Sequence, residues 1–464
     1  MVHTFIQDGT SIAFDQESGA LHVLDDISFA VLQQYVLSDG KRPGENILHC
    51  VSEHYHENTD SCCEDIEELI ARKLLFAPAQ QLRIEDFYRD EPRIKALCLH
   101  ICHDCNLRCR YCFAGTGDFH TGKRSLLDFS TGKRAIDFLL ANSGTRINID
   151  IDFFGGEPLM NWDVVVALTH YCEEQDPKSG KNIRLTITTN AVLLDDEKTA
   201  FINAHFDNCV LSLDGRPEVH DAMRPNRGGK GSYGLVSKNI LEFVKKRGDR
   251  SYYVRGTYTR NNLDFSSDVK HIVSLGIAQV SIEPVVGPEH SGYDIRLEDL
   301  PVLFNEYEKL ARDFLEAQNN GQPFEFFHFK MDLSNGPCAY KRMKGCGVGT
   351  EYIAVTPEGD IYPCHQFVGQ PEFLMGNVMD ENLMLDLEVK ERFKDLLVPQ
   401  KEECNACWAK YFCSGGCPAN AYFSTGSVHG TYKLGCELQK KRLECALWIK
   451  TQGGNASSQT NKEG

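Results

Sequence analysis

Cysteines carry the chemistry that this sequence shows first. Five fall between Cys98 and Cys112 and eight between Cys338 and Cys436, while the long stretch separating the two groups holds only Cys172 and Cys209. The total is 19, so complete pairing within one chain is impossible. Thiols grouped in this way point to metal ligation or chemistry rather than to a disulfide framework. The first group contains two overlapping Cys-x3-Cys-x2-Cys triplets, Cys98/Cys102/Cys105 and Cys105/Cys109/Cys112. Cys98 and Cys102 lie in an alternating apolar stretch, and a strand holds them ~13 Å apart, too far to wrap one centre. Asp104, Asn106 and Arg108 favour a loop after that strand, and a loop can curl so that Cys105, Cys109 and Cys112 converge. Three thiolates leave one iron of a [4Fe–4S] cluster free to bind a substrate or cofactor, whereas four suit plain electron transfer. A zinc knuckle is the alternative that these cysteines alone leave open.

Further polar residues are spaced along the chain as though on one rim. Phe154-Gly155-Gly156-Glu157-Pro158 offers glycines where a backbone can approach a ligand closely, and a carboxylate that can accept from an ammonium group. Thr188-Thr189-Asn190 and Ser212-Leu213-Asp214-Gly215 follow, then Asp221 and Arg224, whose guanidinium can hold a carboxylate bidentately. Each could also be ordinary rim capping or solvated charge. His100 and His103 read as packing or rim residues rather than ligands. The second cysteine group is Cys404-x2-Cys407-x5-Cys413-x3-Cys417 followed by Cys436, preceded by Cys338, Cys346 and Gly359-x4-Cys364. Two-plus-two spacing alone would also suit a zinc ribbon.

The elements that must position these groups alternate. Strand-like stretches at Lys95–Cys102, Ile149–Phe154, Arg184–Thr189, Asn208–Leu213, Tyr252–Thr259 and Gln279–Val286 are each followed by a helical one: Ser130–Ala141, Trp162–Glu174, Asp196–His205, Tyr233–Lys246, Phe265–Leu275 and Leu300–Gln318. Six β-then-α units predict a parallel sheet with helices outside. Six fall short of the eight that close a full barrel, so the expected fold class is α/β, a partial (β/α)6 barrel over 93–328 with its chemistry at the C-terminal ends of the strands. Residues 329–450 are rich in Cys, Gly and Pro, a texture that needs a staple such as metal, and Leu438–Lys450 reads as a closing helix. Residues 451–464 read as a flexible polar tail. Residues 1–92 carry 18 acids and 6 bases. Within them, short strands at His3–Gln7, Ser11–Asp15 and Ala20–Leu24 precede helical runs at Ile27–Leu37 and Asp60–Lys73, a small α+β module over 1–85 with a linker at 86–92.

Composition narrows the class. The chain has 464 residues, 42% hydrophobic and 25% charged, with a net charge of −17. That excludes global disorder and speaks against nucleic acid as a partner. No apolar run reaches the ~18 residues of a membrane span, and Met1–Thr10 lacks a signal-peptide pattern, so no membrane and a cytoplasmic location are expected.

The Cys105/Cys109/Cys112 loop, with the aromatic Tyr111 before its last cysteine and on a partial barrel, resembles the radical SAM superfamily. The resemblance implies a [4Fe–4S] cluster on these three residues whose open iron chelates S-adenosylmethionine and whose electron cleaves it to a 5′-deoxyadenosyl radical. It further implies that Gly155, Gly156 and Glu157 meet the methionine amino group, and that Thr188, Asn190, Ser212 and Arg224 surround the ribose and carboxylate. The second cysteine group resembles the SPASM extension of peptide-modifying members, which holds two auxiliary [4Fe–4S] clusters, making three in all. Carried over, one takes Cys404, Cys407, Cys413 and Cys436, and the other takes Cys346, Cys364 and Cys417. The fourth ligand of the latter is Cys338 or a substrate thiolate.

Residues 1–85, with Asp15-Gln-Glu-Ser-Gly19 running through Asp25 and Asp26 to Phe29, resemble the winged-helix-like module that recognises the leader of a ribosomally made peptide. The three-part order looks most like thioether-forming maturases. Within them, His100-Ile-Cys102-His103-Asp104-Cys105-Asn106-Leu107-Arg108-Cys109 looks closest to those of the "six cysteines in forty-five residues" (SCIFF) peptides. That implies a Cys-rich precursor bound through its leader, a low-potential electron donor, and a Cys-to-carbon bond to Thr, with the auxiliary clusters removing the surplus electron. Carbon–carbon crosslinking, Cys or Ser oxidation, and a non-enzymatic zinc-binding regulator are the alternatives.

Overall fold

The computed structural model describes residues 1–80, 93–287, 290–333 and 342–453. The segment read as a linker, 86–92, lies wholly outside these, as do Cys338 and most of the tail. The chain opens with an antiparallel sheet of β1 (Val2–Gln7), β2 (Thr10–Asp15) and β3 (Leu21–Leu24), in that order. Asp8 and Gly9, both at positive φ, form the two-residue turn that the strand twist favours. β2 is buried on both faces. Ala13 joins Ile27, Val31, Leu32 and Tyr35 of helix α1 (Asp26–Leu37), while Ile12 and Phe14 point the other way into the main core. β3 is left as an edge, with Val23 58% exposed.

Asp25 caps α1 by accepting from the Ser28 amide at 2.8 Å. Helix α3 (Asp60–Ala71) follows the sequence reading, but between them stands α2 (Glu45–Tyr55), which that reading lacks. Its start, Gly44, makes no side-chain cap, and its apolar stripe is short, with Leu48 buried and Val51 and Tyr55 only partly so, which leaves it without a start signal in sequence.

The second sheet has ten strands. β4 (Ala96–Cys102), β5 (Asn148–Gly155), β6 (Asn182–Thr189), β7 (Asn208–Ser212), β8 (Tyr253–Tyr258), β9 (Gln279–Pro284) and β10 (Glu325–Phe326) run parallel in sequence order. Helices α4 (Phe129–Asn142), α5 (Trp162–Ser179), α6 (Asp196–His205), α7 (Pro217–Met223), α8 (Tyr233–Arg247), α9 (Phe265–Ser274) and α10 (Leu300–Asn319) link them. The free side of β4 does not close on β9. It pairs in parallel with β11 (Tyr352–Val355), which continues antiparallel into β12 (Asp360–Tyr362) and β13 (Gly376–Asn377). The barrel is therefore open, and the cysteine-rich segment extends its sheet. These last strands have two to four residues, too short to show a period in sequence.

Leu97, Leu99, Ile101, Ile149, Ile151 and Phe153 are fully buried under the helices. The alternate residues, among them Asp152, Phe154 and Thr188, face the concave lumen. The chain ends in α11 (Leu387–Lys394), α12 (Pro418–Thr425) and α13 (Lys433–Gly453). The N-terminal sheet is docked on this part: His3 stacks on Trp408 with ring centres 3.9 Å apart and pairs with Glu444 at 3.0 Å, and the Tyr411 hydroxyl donates to Glu17 at 2.9 Å. Among the described residues no helix is long and apolar enough to cross a membrane.

Candidate active site and cysteine sets

The loop after β4 is fixed from both ends. Cys102, the last residue of the strand, is fully buried and donates its thiol to the Glu157 carbonyl at 2.9 Å and the Asp104 carbonyl at 3.2 Å, and burial pushes it up to about 11. Cys98 is also fully buried. Asp104 accepts from the Cys105 amide at 2.7 Å and pairs with Arg124 and, at 2.7 Å, with Arg227, which also donates to the Cys105 carbonyl. The loop then runs beside the segment after α7: the Arg108 amide donates to Pro225 at 2.8 Å and the Arg110 amide to Met223 at 2.9 Å.

Cys105, Cys109 and Cys112 are thereby brought together. Burial pushes Cys105 up to about 12, and the charges of Glu157, Cys109 and Cys112 add to it. Cys109 is pushed up to about 11 by burial, against the pull of the Arg224 charge. Holding such thiols as thiolates calls for a cation of high charge. The Leu107 amide at 3.4 Å and the Asn190 side chain at 3.5 Å already point at the Cys105 sulfur.

The glycines of the next loop serve this one. Gly155 has φ +122, and a Cβ there would lie 2.3 Å from the Cys102 carbonyl oxygen; at Gly156 it would lie 1.9 Å from the Asp104 carbonyl oxygen. The close approach that they permit is thus to the cysteine loop. Glu157 is fully buried, and its oxygens accept from Thr189 at 2.7 Å, the Asn190 amide at 2.7 Å and the Leu159 amide at 3.1 Å. Burial pushes it up to about 7 against those bonds. Asn190 also donates to Asn106 at 2.7 Å, so the end of β6 is tied to the cysteine loop.

Arg224 donates from Nε to the fully buried Asp214 at 3.0 Å, and its guanidinium lies 5.4 Å from the centre of the Tyr111 ring, whose hydroxyl donates to Asp214 at 2.6 Å. Its terminal nitrogens have no carboxylate partner among the described residues. Thr188 reaches Asp152 at 3.4 Å, and Ser212 ends β7 in the next strand. His100 and His103 are buried, hydrogen-bonded to each other at 2.9 Å and packed on Phe119.

Sequence reasoning missed the charged lining of the lumen. Burial pushes Asp152 up to about 7, opposed by Thr188 and the Arg255 charge. Burial would raise Glu283 too, but His328 at 3.2 Å, Arg442 at 3.3 Å and Arg255 at 3.7 Å hold it well below the usual carboxylate range. A charge at an inward position of a strand, as in Ser281-Ile282-Glu283, is the signal that could have found it.

The other cysteines form two sets. Cys364, just after β12, is buried and its proton affinity is raised by burial and by Cys417 and Cys346. Cys436, in the first turn of α13, is pushed up to about 12 by burial and by Cys413, Cys404 and Cys407. Of the first set Cys364 borders the lumen, since Tyr352 lies against Cys98 and within the field of Asp152 and Cys364, whereas Cys346 and Cys417 are exposed. Zinc at ~2.3 Å from each thiolate would draw the sulfurs to roughly 3.8 Å of one another. Among the described residues no three thiols lie within 4.8 Å of one another; the one such group of candidate ligands is His170, Glu173 and His205 on α5 and α6. The cysteine sets thus do not present a preformed tetrahedral zinc site among the described residues.

Comparison with known proteins agrees in kind. Residues 99–252 match the family model "Radical SAM superfamily", and residues 346–408 match SPASM, "Iron-sulfur cluster-binding domain". The serine-type anaerobic sulfatase-maturating enzyme of Bacteroides thetaiotaomicron is 26% identical over 355 residues, covering 69% of this chain and 81% of that enzyme. The antilisterial bacteriocin subtilosin biosynthesis protein AlbA of Bacillus subtilis is 25% identical over 286 residues, covering 60% of this chain and 56% of AlbA. Among solved structures, anSMEcpe with bound AdoMet superposes with a TM-score of 0.62 at 20% identity, over 78% of this chain and 100% of that one. Streptococcus suis SuiB bound to S-adenosylmethionine gives 0.52 at 15% identity, over 92% and 97%. The chain carries a radical SAM domain of mostly parallel α/β fold, with a SPASM domain behind it.

Proposed function

We propose that this chain is a radical S-adenosylmethionine enzyme that closes a thioether between a cysteine and a carbon, that of Thr, within a ribosomally made, Cys-rich precursor peptide. A [4Fe–4S] cluster on Cys105, Cys109 and Cys112, with S-adenosylmethionine, supplies the 5′-deoxyadenosyl radical that removes the acceptor hydrogen. Around it, the terminal nitrogens of Arg224 are free to hold a carboxylate while Asp214 fixes the guanidinium plane. Three of the roughly four acceptor positions of Glu157 are taken by Leu159, Thr189 and Asn190, which leaves about one on its second oxygen for the amino group beside Gly155 and Gly156. Thr188, Asn190 and Ser212 complete the rim, and Tyr111 shields it.

The observation that supports this reading is the buried Cys364, which lies beside the lumen layer of Cys98, Asp152 and Tyr352 and within the field of Cys346 and Cys417. A peptide thiolate entering the lumen would there complete a three-cysteine cluster, with the set of Cys404, Cys407, Cys413 and Cys436 beyond it as the exit for the surplus electron. The acidic N-terminal module offers the β3 edge for a leader strand, whose main-chain bonds give affinity. Relatives named for sulfatase maturation and subtilosin biosynthesis support a peptide or protein substrate.

The test is anaerobic incubation of reconstituted protein with S-adenosylmethionine, reductant and a cysteine-rich precursor, read by mass spectrometry, beside a Cys338→Ser variant. Loss of two hydrogens per bridge, with alkylation blocked at the bridged cysteine and the variant still active, is the expected result. Loss of two hydrogens with every thiol still alkylated would point to carbon–carbon crosslinking. Deoxyadenosine with an unchanged peptide would reject this substrate.

A further inference from the structure

Lys401 stands at the junction of the two rear cysteine sets, and it is 5% exposed. It closes the turn Val398–Gln400 and opens the single helical turn Glu402–Asn405 that carries Cys404. Its ammonium reaches only two carbonyls, that of Gly415 at 3.4 Å and that of Val428 at 3.5 Å. Among the described residues no carboxylate pairs with it. Its neighbour Lys344, by contrast, is matched by Glu351 at 2.9 Å. Gly415 belongs to the link between Cys413 and Cys417, where Ser414, Gly415 and Gly416 all take positive φ, at 60°, 81° and 74°. The lysine therefore clamps the strap that joins one cysteine set to the other. Burial lowers the proton affinity of this ammonium, and the groups that work the other way are the thiols of Cys404, Cys413, Cys436 and Cys417 once ionised. A buried lysine without a counter-ion gives up its proton, so the charge persists only beside an anionic partner.

We infer that Lys401 is the counter-ion of the rear cluster held by Cys404, Cys407, Cys413 and Cys436, and that it sets the reduction potential of that cluster. Four thiolates make such a cluster anionic, and its reduction adds one more negative charge. A fixed positive charge at its flank favours the reduced form, so the cluster becomes a better acceptor for an electron leaving the lumen side. Lys401 acts through the cluster and touches no substrate. It is a positioning residue for charge. This rests on reading these cysteines as cluster ligands.

The test uses full-length protein with Cys105, Cys109 and Cys112 replaced by Ala, so that only the rear clusters titrate, and follows their reduction by electron paramagnetic resonance at set potentials. Lys401→Gln keeps a donor to the carbonyls but no charge, and Lys401→Arg keeps the charge. In Lys401→Gln, one of the two midpoints is expected to fall so that the reduced-to-oxidised ratio at fixed potential drops at least tenfold, ~59 mV for one electron. In Lys401→Arg it stays near the parent value. Loss of about one cluster's iron in Lys401→Gln but not in Lys401→Arg would support the same conclusion, since the charge would then be needed to hold the cluster. Unchanged midpoints with full iron, an equal fall in both variants, or equal iron loss in both would overturn it. A parent protein with no rear-cluster iron would instead overturn the reading of the cysteines and the inference with it.

Discussion

Replacing Gly156 by Ala should remove the front cluster while leaving the rear ones in place. The new Cβ would lie 1.9 Å from the Asp104 carbonyl oxygen, and contacts below 3.0 Å are essentially never found, so the two loops must part by at least 1.1 Å. Two backbone hydrogen bonds cross that seam, from the Gly156 amide to Cys102 at 2.8 Å and from the Glu157 amide to Asp104 at 2.9 Å, beside the thiol bond of Cys102 to the Glu157 carbonyl. Opening by 1.1 Å takes both beyond hydrogen-bond distance. Each costs ~1 kcal/mol as a bond and up to ~3 if the group is left buried without a partner. A loss of about 3 kcal/mol at the loop is roughly a hundredfold or more in the population of loops with all three thiols in place. The assay is iron and sulfide per chain after anaerobic reconstitution, with deoxyadenosine release from S-adenosylmethionine. The expected result is loss of about one cluster's iron and little or no deoxyadenosine, with the visible absorption of the rear clusters retained. Gly234, in the first turn of α8, has nothing within 4 Å of its own notional Cβ and serves as the control. Full iron and normal release in Gly156→Ala would refute the argument that this glycine exists for the cysteine loop.

Three further outcomes can be stated together. Arg224→Met leaves the buried carboxylate of Asp214 without a counter-charge, held only by the Tyr111 hydroxyl and the Thr257 amide, at a cost of about 3 kcal/mol in anaerobic urea unfolding, and adding Asp214→Asn should recover most of it; a double variant no better than the single one would disprove the pairing. Glu157 has its proton affinity raised, from 4.5 to about 7, so its contribution to stability is fully present below pH 4.5 and is lost as pH rises through 7. Relative to Glu157→Gln, the parent should lose about 2–3 kcal/mol between pH 5 and 7.5, and a pH-independent difference would sink that account. Leader binding to the acidic N-terminal module should weaken as salt is raised if basic leader residues contribute, measured by fluorescence anisotropy; an affinity indifferent to salt would remove the electrostatic part.

The repeating part of the molecule was legible in sequence because its periods are long and clean. Ile149, Ile151 and Phe153 alternate with polar residues, and Trp162 to Ser179 then follows at helical spacing. The radical SAM barrel and its open edge follow from counting such units. What the sequence hides is what neighbouring loops do to one another. Gly155 and Gly156 read as room for a ligand, and the structure fills that room with the Cys102 and Asp104 carbonyls. Glu157 reads as a free acceptor, yet Thr189 and the Asn190 amide occupy part of it. Those partners lie more than thirty positions away, joined only by the parallel pairing of β5 with β6. Asp152 and Glu283 escaped notice for the same reason, since a lumen exists only once distant strands are side by side. Helix α2 and the strands β10 to β13 are too weakly patterned or too short to stand out.

The N-terminal sheet, buried on both faces of β2 and fixed to the rear of the molecule through His3, Trp408 and Glu444, is no loosely tethered arm. Its outer strand therefore stands at a constant distance from the cysteine loops. Under the proposed function, such an anchorage works as a ruler. A peptide gripped at β3 can offer to the lumen only residues whose contour length, at ~3.3 Å per extended residue, spans that gap. Selection among several cysteines would then fall to counting along the chain rather than to reading side chains, and inserting residues between leader and core should move the bridge instead of abolishing it.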